Sequence, residues 1–182
     1  SANKAVVIFI NQIRMKIGVM FGCFSYDSRV VMADGSTQKI GLLVNSKSKE
    51  EVRSFDPVTG EVKPARIIDW HKNGETNEWV QVVAQKVGGN GRTQFKATAN
   101  HVVYVPGMIQ RPIGEMSVGD ELLIQSEKAE LDSVPNRRMK LIPAKILSID
   151  VIPAQAKKRT RFDITIEGTH GYLIDGCAVH NS

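Results

Sequence analysis

The chain has 182 residues, 42% of them hydrophobic and 24% charged, with a formal net charge of +5. These values exclude a disordered, collagen-like or coiled-coil chain and suit one domain, or one domain with an appendage, that buries its own core. No apolar run approaches the ~20 residues that cross a bilayer, the start lacks a secretory pattern, and two cysteines are too few for a disulfide framework or a structural zinc site; a reduced, cytoplasmic setting with no membrane partner and no metal is expected.

Residues 1–22 carry Lys4, Arg14 and Lys16 and no acid, which is +3 of the total and leaves +2 for the other 160 residues. A broad nucleic-acid-binding face on the main body is therefore not expected, while an anion-seeking role for the first segment stays open. Residues 5–10 form a continuous apolar run of the kind buried on both faces of a parallel sheet. Nothing after it alternates strand with helix, so the segment reads as cut from a larger α/β protein. From Cys23 onward the pattern is almost all strand. Residues 29–32 meet the turn signal Asp34-Gly35-Ser36, a short helix is predicted near 40–45, and 51–55 and 61–63 flank Asp56-Pro57-Val58-Thr59-Gly60 as a hairpin. Further strands are predicted at 65–70, 79–84, 95–98, 101–105, 121–124, 144–152, 161–166 and 171–174, with a glycine loop at 88–91. Many short strands with regular turn signals indicate an all-β sandwich or closed β fold. The polar, proline-containing stretch 127–140 reads as a surface excursion.

Four places carry residues able to rearrange a peptide bond. The C-terminus reads Val179-His180-Asn181-Ser182. An asparagine amide nitrogen can attack its own backbone carbonyl, closing a succinimide and breaking the bond after it, and an adjacent imidazole such as His180 can protonate the leaving group. At Gly22-Cys23 the thiol can attack the carbonyl just upstream and turn an amide into a thioester, with glycine leaving room for the strained geometry. In Thr98-Ala99-Asn100-His101, His101 is a candidate to protonate the amine leaving from Cys23, and Thr98 or Asn100 to hold the carbonyl oxygen. In the stretch 162–170, Asp163 stands among apolar neighbours, where an unpaired carboxylate is costly, and is a candidate to anchor a thiol or imidazole; His170 is a candidate to steer protons at the C-terminal end. Each alone has an ordinary reading: a surface tail, a small buried cysteine, satisfied histidines, and a structural ion pair for the aspartate.

Taken together, residues 23–30, Thr98-Ala99-Asn100-His101, residues 161–170 and Gly176-Cys177-Ala178-Val179-His180-Asn181 resemble, in order, the splicing blocks of inteins, members of the Hint superfamily. The resemblance implies a splicing domain over 23–181, a host flank over 1–22 and Ser182 as the first residue of the downstream flank. It implies a horseshoe-like β fold with both splice junctions in adjacent central strands and one or two short helices. No pair of acidic helical motifs typical of the family's homing-endonuclease insert is present, so a mini-intein is expected. Residues 8–22 similarly resemble bacterial RecA recombinase just before its second DNA-binding loop. That implies a DNA-repair host, with single-stranded DNA and ATP as partners only through the complete host, and a monomer once excised.

The implied reaction is a single-turnover, cofactor-free acyl transfer. Cys23 attacks Gly22 with Thr98, Asn100 and His101 assisting; Ser182 takes over the acyl group with Asp163 coordinating; Asn181 cyclises with His180 and His170 helping; an oxygen-to-nitrogen shift completes the new peptide bond. Cys177 is a candidate for a reversible disulfide with Cys23, its ordinary reading being a buried small residue. Three other readings compete: a Hint domain that cleaves without ligating, a β-rich DNA-binding module, and a cysteine hydrolase using Cys23 and His101. Only 6% aromatic residues and a near-neutral body speak against the DNA-binding module.

Overall fold

The hairpin predicted around Asp56 fixes one corner of the molecule. In the computed structural model, which describes residues 22–125, 140–168 and 170–180, the Asp56 carboxylate accepts the amide N–H groups of Val58 and Thr59 at 2.7 and 3.0 Å. Gly60 adopts φ +75°, and strands β3 (Glu51–Phe55) and β4 (Val62–Glu75) leave the turn in antiparallel register, Phe55 opposite Val62. The expectations for residues 1–21, for most of the excursion over 127–140, and for Asn181 and Ser182 lie outside the described residues.

The all-β reading holds. The other strands are β1 (Arg29–Val31), β2 (Thr37–Lys39), β5 (Glu78–Lys86), β6 (Arg92–Ala97), β7 (Val102–Val105), β8 (Ile109–Pro112), β9 (Glu121–Gln125), β10 (Leu141–Pro153), β11 (Thr160–Ile166), β12 (Gly171–Ile174) and β13 (Cys177–His180). A ten-stranded sheet runs β2-β1-β12-β13-β9-β10-β5-β6, with β7 joining β13 and β8 joining β7; a three-stranded sheet runs β11-β4-β3. Isolated bridges tie the two sheets together at both ends: Met32 to Val52, and Phe24 to both Phe162 on β11 and Ala97 on β6. The result is a curled sheet closed on a shared core, with the chain just after Cys23 forming one of the two seams.

The predicted short helix is α1 (Ile40–Ser46), and a single 3-10 turn spans Ile113–Glu115. Helix α1 buries Ile40, Leu43 and Val44, spaced at i, i+3 and i+4 on one face. Gly41 lies under the Tyr26 ring, where an added Cβ would stand 1.9 Å from a ring carbon. The C-terminal strand is central: β13 pairs with β12, β7 and β9. A two-residue turn, Asp175-Gly176, both at positive φ, joins β12 to β13 with Ile174 opposite Cys177. Paired positive φ is what the right-handed twist of a tight hairpin demands, and an Asp-Gly pair supplies it.

Candidate active site

Cys23 is buried in the seam. Phe24 exchanges two backbone hydrogen bonds with Phe162, at 2.8 and 2.9 Å. On the other side the Thr98 amide donates to the Cys23 carbonyl at 2.9 Å, and the Cys23 amide donates to Thr98 Oγ1 at 2.8 Å. The Gly22–Cys23 peptide bond therefore has its nitrogen pinned to a hydroxyl. Thr98 can reach it because β6 ends at Ala97 and the chain turns at once: the His101 amide donates to the Thr98 carbonyl at 3.0 Å, closing a tight turn. The 3-10 turn locks this turn from outside, Ile113 and Gly114 amides each donating at 2.8 Å to the His101 and Ala99 carbonyls. Asn100 sits exposed in the same turn.

His101 is fully buried, its ring 4.1 Å from the Phe24 ring. Gly22 packs directly on it. At φ +99° a methyl added to Gly22 would lie 2.2 Å from His101 Cα, so only glycine fits against this histidine. Burial pushes the imidazole down to about 3, opposed by the Gly22 carbonyl beside it and assisted by the charge of His180. Neither ring nitrogen reaches ordinary hydrogen-bond geometry; the Gly22 carbonyl is close enough to be felt but not aligned, as catalytic hydrogen bonds often are before the reaction.

Burial, and then the charge of Asp163, push the Cys23 thiol up to about 12, against the Asn73 amide and the Arg161 guanidinium, which pull it down. The thiol is thus fully protonated at neutral pH. Asn73, on β4, donates to the sulfur at 3.5 Å. Asp163, on β11 and completely buried, accepts the Ile164 amide at 2.8 Å and the Tyr172 hydroxyl at 2.5 Å, both on Oδ1. Asn73 and Tyr172 were not anticipated from the sequence. Asn73 lies in a charged run with no apolar alternation, and Tyr172 looks like any aromatic on a buried strand.

The C-terminal strand comes close to this cluster through β7. His101 immediately precedes β7, whose Val103 stands opposite Val179 of β13, and Tyr172 on β12 stands opposite the same Val179. His180 ends β13; the His170 ring stacks over it at 6.2 Å and the Tyr104 ring lies 6.3 Å away. His170 is exposed and holds φ +60°, a left-handed conformation uncommon outside glycine. Cys177 is buried but stands apart from Cys23's partners. It lies opposite Ile174 and Ile124, and burial and Asp175, rather than Asp163, raise its thiol. Among the described residues no group of His, Cys, Asp and Glu side chains is arranged to hold a metal, and no helix is long and apolar enough to cross a membrane.

No family model matches this sequence. The fold is that of the Hint domains of inteins. The chain superposes on a DnaB intein from Synechocystis sp. PCC 6803 with TM-score 0.67 and 20% identity, covering 88% of this chain and 99% of that one. It superposes on a bacterial intein-like domain from Clostridium thermocellum with TM-score 0.67 and 20% identity, covering 89% and 99%. Sequence similarity points to a host. RecA of Mycobacterium leprae is 46% identical over 123 residues, 68% of this chain and 17% of that protein. RecA of Mycolicibacterium fallax is 49% identical over 110 residues, 60% and 26%. The chain thus spans about a quarter or less of the curated relatives it matches. A match of 123 residues cannot fit into the 22 that precede Cys23, so most of it falls in the β body. Together the fold and this match fit an intein carried in a RecA chain.

Proposed function

We propose that residues 23–181 excise themselves from a RecA-type host by protein splicing, joining Gly22 to Ser182. The observation that carries this reading is the clamp on the Gly22–Cys23 bond: its nitrogen held by Thr98 Oγ1, the Gly22 Cα packed on His101 with the Gly22 carbonyl acting on the imidazole, and the sulfur next to Asn73 and within the field of Asp163.

In the first step the Cys23 thiol gives its proton to Asp163 as sulfur bonds to the Gly22 carbonyl carbon. The carbon–nitrogen bond breaks, and the proton ends on the Cys23 amine. The clamp supports a division of labour opposite to the one expected from the sequence. Thr98, at the nitrogen, attends the leaving group, first accepting its N–H and then turning its own O–H toward the developing lone pair. His101, neutral because of its burial, faces the carbonyl and opposes the charge that grows on its oxygen. Ser182 Oγ then attacks the thioester, its proton passing to the Cys23 sulfur. Asn181 Nδ2 attacks its own carbonyl, the bond to Ser182 breaks, and the proton goes to the Ser182 amine, with His180 and His170 as carriers. The ester between Gly22 and Ser182 rearranges to an amide. Every step exchanges one acyl bond for another, so positioning and a few tuned protons suffice.

The test is a chain extended beyond Ser182. Wild type should yield the ligated flanks and the freed domain, resolved by mass. Cys23→Ala should lose both ligation and thiol-released N-terminal flank, keeping only cleavage after Asn181. Thiol-dependent release surviving in Cys23→Ala overturns the assignment. Cleavage at both ends with no ligated product in wild type would instead mark a self-cleaving Hint domain.

A further inference from the structure

We infer that Tyr172 is a positioning residue for the first acyl shift, its hydroxyl holding the Asp163 carboxylate ionised and turned toward the Cys23 thiol. The inference rests on the splicing reading above and concerns the same site. Tyr172 is fully buried, and a buried tyrosine must find its hydroxyl a partner. Here that partner is a buried carboxylate whose charge is felt by the nucleophile: Tyr172 Oη donates to Asp163 Oδ1 at 2.5 Å and Asp163 acts on Cys23. A donor to a carboxylate favours its ionised form, which burial alone would suppress.

Other groups surround Asp163 as well. The Ile164 amide is a second donor to the same oxygen. From the preceding chain comes Cys23, and from β11 itself Arg161, which also acts on that thiol. Across on β4, His71 pairs with Asp163 in register, but its imidazole is engaged with the Thr165 hydroxyl at 2.7 Å. The Tyr172 hydroxyl itself is held well above its usual range by burial, then by the charge of Asp163 and the hydrogen bond it donates to that carboxylate. It therefore keeps its proton while Asp163 takes up the thiol proton and returns it to the leaving amine, and it ends as it began. Its strand also matters. Tyr172 stands opposite Val179, two residues from Asn181, and its ring meets Phe24 edge-on at 6.2 Å, so the strand pairing the C-terminal end reaches the N-terminal nucleophile through this side chain.

The experiment isolates the first step in the full chain with Asn181 and Ser182 both replaced by alanine, reading thiol-released flank against pH. Removal of the hydroxyl in Tyr172→Phe should move the acid limb of the profile to higher pH by about one unit, roughly tenfold slower at a fixed pH on that limb. In an Asp163→Asn background the same change should add nothing, a non-additivity that loosened packing would not produce. An unmoved limb, or an equal loss at every pH, overturns the inference while leaving splicing intact. A parent chain that releases no flank at all sinks the splicing reading and this inference with it. If Tyr172→Phe does not fold, 3-fluorotyrosine at the three tyrosines is the substitute. Its more acidic hydroxyl donates more strongly and must move the limb to lower pH; a limb that stays in place overturns the inference.

Discussion

The Gly22–Cys23 bond and the side chain of His180 sit in unlike surroundings. Around Gly22–Cys23 the reacting groups are dry: Cys23, His101 and Asp163 are each 0% exposed. Around His180 the side chains are half-open, with an exposed His170 stacked over it. Burial drives Cys23 and His101 into uncharged, inert forms, a thiol at about 12 and an imidazole at about 3. On the splicing reading proposed above, the resting N-terminal end is silent by desolvation and needs a proton acceptor brought to the sulfur. On that reading, order in the reaction comes from the buried end, where packing decides when a proton moves.

The strongest way to break the contrast is at Gly22. Gly22→Ala puts a methyl 2.2 Å from His101 Cα, so either the junction or the histidine must shift by an ångström or more. Thiol-released flank should fall at least about 100-fold, the scale set by misplacing reacting atoms by that distance. Cleavage after Asn181, measured in the same sample, should change little. Equal losses at both ends would mean that the two sites are one rigid unit rather than two environments.

A smaller effect is expected at Asn73. Its amide donates to the Cys23 sulfur from the partly open end of β4, and such a donor helps the thiolate more than the thiol. Asn73→Ala should slow alkylation of Cys23 and the acyl shift together by about fivefold, the worth of roughly 1 kcal/mol for a long, partly exposed hydrogen bond. The check is peptide-resolved labelling across pH 8–10. Unchanged labelling would make Asn73 a mere neighbour and leave Asp163 as the dominant influence on the sulfur.

The same contrast separates what the sequence could and could not reveal. The hairpin at residues 55–62 and helix α1 are local, written in proline, glycine and apolar spacing within a few residues, and they form as expected. Strands β2 and β8 escaped because Thr37-Gln38-Lys39 and Ile109-Gln110-Arg111-Pro112 carry almost no apolar alternation; the paired neighbour, not the strand itself, supplies the burial. Strand β13 had a signal that was passed over, the Asp175-Gly176 pair that makes its hairpin. Asn73 and Tyr172 had none. Strand β4 runs five residues past Trp70 through polar sequence, held by β11 alone, and Tyr172 meets Asp163 between strands that do not pair. The roles of Thr98 and His101 were likewise hidden. Their residue types predict a hydroxyl and an imidazole near Cys23, but that the hydroxyl meets the Cys23 nitrogen follows from the sense of one turn.

The mildest prediction tests the far end of β13 through a half-buried carboxyl. Asp175 lies in the β12–β13 turn, at φ +49°, where asparagine is as well tolerated as aspartate. Asp163 accepts from the Ile164 amide at 2.8 Å and the Tyr172 hydroxyl at 2.5 Å, whereas Asp175 accepts from the Arg29 amide at 3.5 Å. Burial accordingly raises its carboxyl from 3.8 to about 6, the Arg29 amide and charge opposing. A folded value above the unfolded one means that the fold binds this proton more tightly than the unfolded chain does. The favourable contribution is complete below about pH 4 and is lost as pH rises through 6. Asp175→Asn removes that loss. By denaturant titration it should be more stable than wild type by about 1–3 kcal/mol at pH 8 and equal to it near pH 4. Because the turn anchors β13 without touching the Cys23 cluster, thiol-released flank should be unchanged at both pH values. A stability gap that persists at pH 4 would assign the effect to packing in the turn, and a changed acyl-shift rate would mean that the carboxyl at this turn and the nucleophile in the seam are coupled after all, erasing the division between the dry end and the open one.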